Sequence, residues 1–142
     1  MAPTIRDARP EDSAAIADLL GQLGYPAAAE AVEPRIAGLL AAGDRLVVAE
    51  LDGQVVGLAD LHVSPSLEHD QPAGKLAAIV VDERHRSAGV GRALVAAMEA
   101  EARERGCGVF FLTTAERRAD AHAFYEHLGL EYTGRRYAKT LR

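Results

Sequence analysis

Ile16, Leu19, Leu20 and Leu23 stand three or four residues apart, the spacing that gathers apolar side chains on one face of a helix. Pro10, Glu11 and Asp12 open that helix after a short first strand at Thr4 to Arg6, and Gly24-Tyr25-Pro26 breaks it. A second helical stretch covers Ala27 to Ala42, with Pro34 expected to begin a new turn rather than sit inside one. Leu46 to Leu51 and Val55 to Val63 read as strands joined by an Asp52-Gly53 hairpin turn, and a polar loop runs from Ser64 to Gly74. Leu76 to Val81 is an apolar run of strand length, expected to be buried on both faces. Past a loop from Asp82 to Gly91, Leu94, Val95, Met98 and Ala102 repeat at helical spacing, to about Arg105. Val109 to Thr114 makes the next strand and Ala119 to Leu128 a helix capped by Gly129, with Glu131 to Leu141 as a last strand. An antiparallel hairpin followed by strand–helix–strand units predicts an α/β or α+β fold around a mixed sheet, in one domain over residues 1–142.

Composition narrows the function. With 49% hydrophobic and 26% charged residues in 142, the chain can bury one core unaided. A net charge of −5 supplies no basic field for phosphates, so nucleic acid is not an expected partner. The single cysteine, Cys107, permits neither an intramolecular disulfide nor a cysteine-based zinc site, and its thiol is expected to be buried and inert. The N-terminus lacks a secretory pattern and no apolar run approaches a membrane span, which predicts a cytoplasmic protein with no membrane partner. His122 and His127 do not share a helical face and no His-Glu-x-x-His occurs, so no catalytic metal is expected. A Gly-x-Ser-x-Gly elbow is absent too, which removes the Ser–His–Asp hydrolases.

The richest segment runs from Val80 to Leu94 and sets a glycine-rich turn between a strand and a long helix. Unpaired N–H groups and the positive end of the helix dipole make such a turn a phosphate site. Gly89 and Gly91 let oxygens approach the backbone, and Arg86 and Arg92 add charge. A dinucleotide fingerprint needs glycine where Leu94 stands, and a P-loop needs Gly-Lys-Ser/Thr where Gly91-Arg92-Ala93 stands. Arg-x-x-Gly-x-Gly fits Arg86, Gly89 and Gly91, and here the sequence resembles the GNAT (Gcn5-related) N-acetyltransferases. Ala121, Phe124, Tyr125 and Gly129 look like that family's second signature, Ala-x-x-Phe-Tyr-x-x-x-Gly-Phe, with Leu130 in the last place.

The resemblance implies a mixed, mostly antiparallel twisted sheet flanked by about four helices, with acetyl-coenzyme A in a splay between two central parallel strands. It implies pantetheine pairing along Ile79, Val80 and Val81, and pyrophosphate contact with the backbone of Arg86, Ser87, Ala88, Gly89, Val90, Gly91 and Arg92. Ala121 lies beside the cofactor by the same analogy, and Tyr125 protonates the departing thiolate, a role suited to a phenol that is ordinarily protonated at neutral pH. Where many relatives carry a carboxylate on the strand before the loop, this chain has Ala77 and Ala78. His62, Glu68, His69 and Asp70 are candidate proton acceptors, Asp60 a residue that can face the cleft, and Arg118 stands where relatives often place a pantetheine-binding asparagine. The implied activity is direct acetyl transfer to a primary amine of a small molecule or a protein, and the alternative is a non-catalytic acyl-coenzyme A sensor. The short stretch after Gly129 leaves room for a homodimer in which a second chain completes the sheet.

Overall fold

Asp52 and Gly53 both adopt positive φ, 51° and 77°, the backbone of the two-residue turn whose twist matches a hairpin. The computed structural model, which describes residues 2–86, 88–113 and 119–141, builds outward from that turn. β2 (Arg45–Leu51) and β3 (Gln54–Ser64) are its arms, with β1 (Thr4–Asp7) antiparallel on the outer side of β2. β4 (Ala73–Val81) pairs antiparallel with β3, and β5 (Val109–Phe111) pairs parallel with β4, so the sheet order follows the sequence from β1 to β5. Among the described residues, four α-helices flank this mixed sheet: α1 (Ser13–Leu23), α2 (Ala29–Ala41), α3 (Val90–Glu104) and α4 (Ala119–His127).

Alternation along the strands divides the core in two. Val47, Ala49, Val56, Ala59, Leu61 and Leu76 face Leu94, Val95 and Met98 of α3. Leu46, Val48, Leu58 and Val80 face Ile16 and Leu19 of α1 and Val32 and Ile36 of α2. Arg6 ties β1 to both neighbours, donating to Asp12 before α1 at 2.8 and 2.9 Å and to Glu50 of β2 at 2.5 Å. Among the described residues no helix is long and apolar enough to cross a membrane.

Four expectations need correction. Pro34 lies inside α2 rather than at a new start. Buried Val32 and Ile36 on either side of it hold both turns against the sheet, which offsets the missing hydrogen bond. β4 begins at Ala73, inside the expected loop, and Ala77 on it is exposed, so the strand is not buried on both faces. β5 ends at Phe111 instead of Thr114, which lies outside the described residues. Residues 131–141 form no strand and are exposed throughout. Tyr132 and Tyr137 are an odd number of residues apart, so a strand would point them to opposite faces, and the three-residue β5 offers little edge to pair with.

Candidate active site

The turn after β4 is braced at its base and open at its tip. Asp82 N–H donates to Val56 O at 2.8 Å, and the Asp82 carboxylate accepts from Arg84 N at 2.9 Å and from the Arg84 guanidinium at 2.9 and 3.2 Å. The Arg84 hydrogen bonds hold Asp82 down to about 2, so the brace is ionised at working pH. Glu83 N–H donates to Gln22 of α1, which fixes the turn from the other side. Gly89 then caps α3 with φ 79°, a left-handed conformation costly for any residue with a Cβ. No side chain caps this helix, and among the described backbone bonds the N–H groups of Gly89, Val90, Gly91 and Arg92 have no acceptor. Donors with no described partner at the positive end of a four-turn helix make a candidate anion site.

Gly91 has a different reason from the one its motif suggests. A Cβ there would lie 3.1 Å from Cζ of Phe124, so this glycine lets α4 dock on the first turn of α3. Val90 buries its side chain in the core and offers only its N–H to the site. Arg92 turns its side chain into a groove of about 310 Å³ with Val95, Glu99, Arg103 and Leu128, while its N–H stays in the first turn. Arg86 is exposed on the loop, and Ser87 and Arg118 lie outside the described residues.

β4 and β5 pair only at Ala73↔Val109, Gly74↔Phe110 and Lys75↔Phe111. From Leu76 to Val81 the β5-facing edge of β4 has no described backbone partner, and this open edge leads directly to the α3 N-terminus. The strands therefore part at Lys75. Ile79, Val80 and Val81 border the opening, with Val80 packed toward α1 and α2 and the other two toward α3. α4 carries Ala121 and, one turn later, Tyr125, whose ring meets Phe124 edge-on at 5.3 Å and 64°. The chain leaves α4 through Gly129, with Leu130 N–H reaching back to Tyr125 O at 3.1 Å.

Asp60 and His62 point from β3 to the α1 and α2 face, where the structure brings them together with Asp44. His62 Nδ1 and Asp44 Oδ1 are hydrogen-bonded at 2.6 Å, with the Asp44 side chain 2% exposed and His62 44% exposed. Asp60 is buried and its Oδ1 has no hydrogen-bond partner. Burial, then a hydrogen bond shared with the Asp44 carboxyl, push Asp60 up to about 7. Native Asp60 thus keeps its proton to about pH 7, whereas the unfolded chain releases it near 3.8. Folding retains the proton across that window, so stability falls as pH rises through it and the cost is complete above about pH 7. Asp60→Asn removes that penalty, on the order of a few kcal/mol, and is expected to melt several degrees above the native protein near pH 8, but with it near pH 4. Calorimetry at the two pH values checks this.

His69 does not join that group. It lines a pocket of about 220 Å³ with Gln71, Pro72, Gly108 and Val109, at the end of β4 remote from the phosphate loop. Glu68 and Asp70 are exposed on the same loop. Asp44, which closes the helix before β2, was invisible as a site residue because its partner is set by strand register. The signal was the hairpin itself: counting back from Asp52-Gly53 brings Asp44 close to His62 once one bulge is allowed. Among the described residues no three His, Cys, Asp or Glu side chains are grouped to hold a metal ion.

The chain as a whole is similar to known proteins. The family model described as "Acetyltransferase (GNAT) family" matches residues 14–130. An aminoglycoside N(6')-acetyltransferase type 1 of Stenotrophomonas maltophilia is 36% identical over 143 residues, covering 94% of this chain and 90% of the relative. An aminoalkylphosphonate N-acetyltransferase of Salmonella typhimurium is 36% identical over 90 residues, 63% of this chain and 58% of the relative. The crystal structure of a Trypanosoma brucei acetyltransferase superposes with a TM-score of 0.84 at 28% identity, over 98% of this chain and 99% of that one. The family match over most of the chain and the shared fold agree with the two signatures, and the chain belongs to the GNAT acetyltransferase family, as an N-acetyltransferase that takes its acetyl group from acetyl-coenzyme A.

Proposed function

We propose that this enzyme acetylates a primary amine of a small molecule in a ternary complex, with acetyl-coenzyme A lying along the open edge of β4. The observation that carries the reading is the parting of β4 and β5 at Lys75, because it leaves an unpaired edge leading to an uncapped helix N-terminus. The pyrophosphate rests on the N–H groups from Gly89 to Arg92, with Arg86, Ser87 and Ala88 beside it on the loop. The pantetheine amides pair with the backbone of Ile79 to Val81. From Lys75 to Val81 the strand rises roughly 20 Å, a span suited to an extended pantetheine arm. That places the thioester near the point where the strands part.

The amine attacks the thioester carbonyl directly, without an acyl-enzyme step. A backbone N–H of β4 meets the developing oxyanion. The thiolate leaves with a proton from Tyr125, while Ala121, one turn earlier, keeps the helix face narrow there. Asp60 and His62 lie on the acceptor side, and His69 lines the pocket at the far end of β4. A small-molecule acceptor is favoured because the relatives carry the names of aminoglycoside and aminoalkylphosphonate acetyltransferases. The same names disfavour a non-catalytic sensor. A homodimer in which a second copy packs on the exposed segment 131–141 is part of this reading.

Isothermal titration with acetyl-coenzyme A, followed by thiol release with kanamycin, aminoethylphosphonate and a peptide amine, tests the proposal. Saturable binding with turnover on a small amine is the expected result. Turnover on the peptide alone would reject the small-molecule acceptor, and absence of cofactor binding would reject the site.

A further inference from the structure

The general base that the alanines of β4 leave unfilled is supplied from the neighbouring strand. We infer that His62, held by Asp44, takes the proton from the acceptor ammonium. The inference rests on the reading of the cleft above and assigns its acceptor side.

Position comes first. Asp60 is the cross-strand partner of Ala78, and His62 that of Lys75, the residue where β4 leaves β5. The register shifts between Asp60 and Leu61, so Ala77 sits in a bulge without a partner on β3. A methyl group there leaves room for a longer side chain from β3. His62 is therefore one strand, about 5 Å, from the place where the thioester ends.

Orientation comes second. Asp44 Oδ1 lies 2.6 Å from Nδ1 of His62, so the carboxyl engages that nitrogen and Nε2 is the one left to meet an acceptor. The His62 side chain is 44% exposed and can touch an acceptor, whereas Asp60, at 5%, cannot. Asp60 instead sits beside the Asp44–His62 pair with its Oδ1 buried. The charged groups facing His62 are Asp44 from before β2, Asp60 from β3 and Lys75 from β4, while α1 and α2 bring the apolar Leu19, Val32 and Ile36 to this face.

The step balances as follows. One ammonium proton passes to Nε2, and the freed nitrogen lone pair bonds to the thioester carbon. The carbon–sulfur bond breaks with its electron pair on sulfur, which takes the proton of Tyr125, and the second proton lost by nitrogen restores Tyr125 through solvent. The imidazolium then releases its proton to water, so that ammonium and thioester become amide, thiol and one proton.

The test is the pH dependence of kcat/KM for His62→Gln and Asp44→Asn with kanamycin and aminoethylphosphonate as acceptors, beside acetyl-coenzyme A titration of each variant. His62→Gln is expected to lose about 100-fold near pH 7, and the loss should shrink toward the amine's own pKa, where free amine needs no base. Acetyl-coenzyme A affinity stays unchanged, because the cofactor edge of β4 is untouched. Asp44→Asn is expected to lose part of the rate and to displace the acidic limb of the profile. A His62→Gln enzyme within about twofold of the native one, with an unmoved profile, overturns the role of His62 but leaves acetyl transfer standing. A native enzyme that binds acetyl-coenzyme A and releases no thiol with either amine overturns both.

Discussion

Tyr125→Phe is expected to lower kcat about 1,000-fold while changing acetyl-coenzyme A affinity by less than about twofold, the pattern of an interaction made only in the transition state. The substitution removes one hydroxyl and keeps the ring. That ring packs edge-on to Phe124 at 5.3 Å, and Phe124 in turn fills the space left by Gly91, so the junction of α4 with α3 survives. What is lost is the proton for the departing thiolate, which must then come from solvent. A better leaving group needs that proton less, so an activated thioester should recover part of the rate in the variant. Steady-state kinetics with acetyl-coenzyme A and with a thioester of lower thiol pKa measure both effects. An equal loss with the two donors would place Tyr125 in packing rather than in proton transfer.

Gly89→Trp is expected to weaken acetyl-coenzyme A binding about 1,000-fold, equivalent to losing two charge-assisted hydrogen bonds to phosphate. Nothing lies within 4 Å of a Cβ at this position, so the indole extends over the free N–H groups instead of disturbing the core. The left-handed backbone adds strain of about 1–2 kcal/mol, and Gly89→Ala isolates that part because it carries the strain without the bulk. Titration calorimetry should therefore rank the native protein first, Gly89→Ala a little weaker, and Gly89→Trp far below both. Equal binding by all three would remove the pyrophosphate from this turn. A melting temperature within a few degrees of the native one shows that the fold is kept.

Much of this was legible because the determinants are local. Asp52-Gly53 specifies its own turn through two positive φ values, and Gly129 ends α4 in the same way. Apolar residues three and four apart place Leu94, Val95 and Met98 on the buried side of α3. The glycine-rich turn before α3 is a run of adjacent residues, so Arg86, Gly89 and Gly91 could be read as a unit. Other features depended on partners far along the chain. Pro34 breaks helices as a rule, yet α2 continues through it because two buried side chains hold it down.

Residues 131–141 show the reverse case, a segment that suggested a strand and found no neighbour. The deepest example is the His62 pair. One register shift between Ala49 and Glu50 moves Arg45 opposite Leu61, and so Asp44 opposite His62; without it His62 would face Gly43. The sequence by itself determined the order of elements as far as α4, the glycine-rich turn before α3 and the family, since each follows from spacing between near neighbours. Only the tertiary structure decided where β4 and β5 part, why Gly91 must be small and which carboxylate holds His62, because these depend on register and docking between residues that the chain keeps apart.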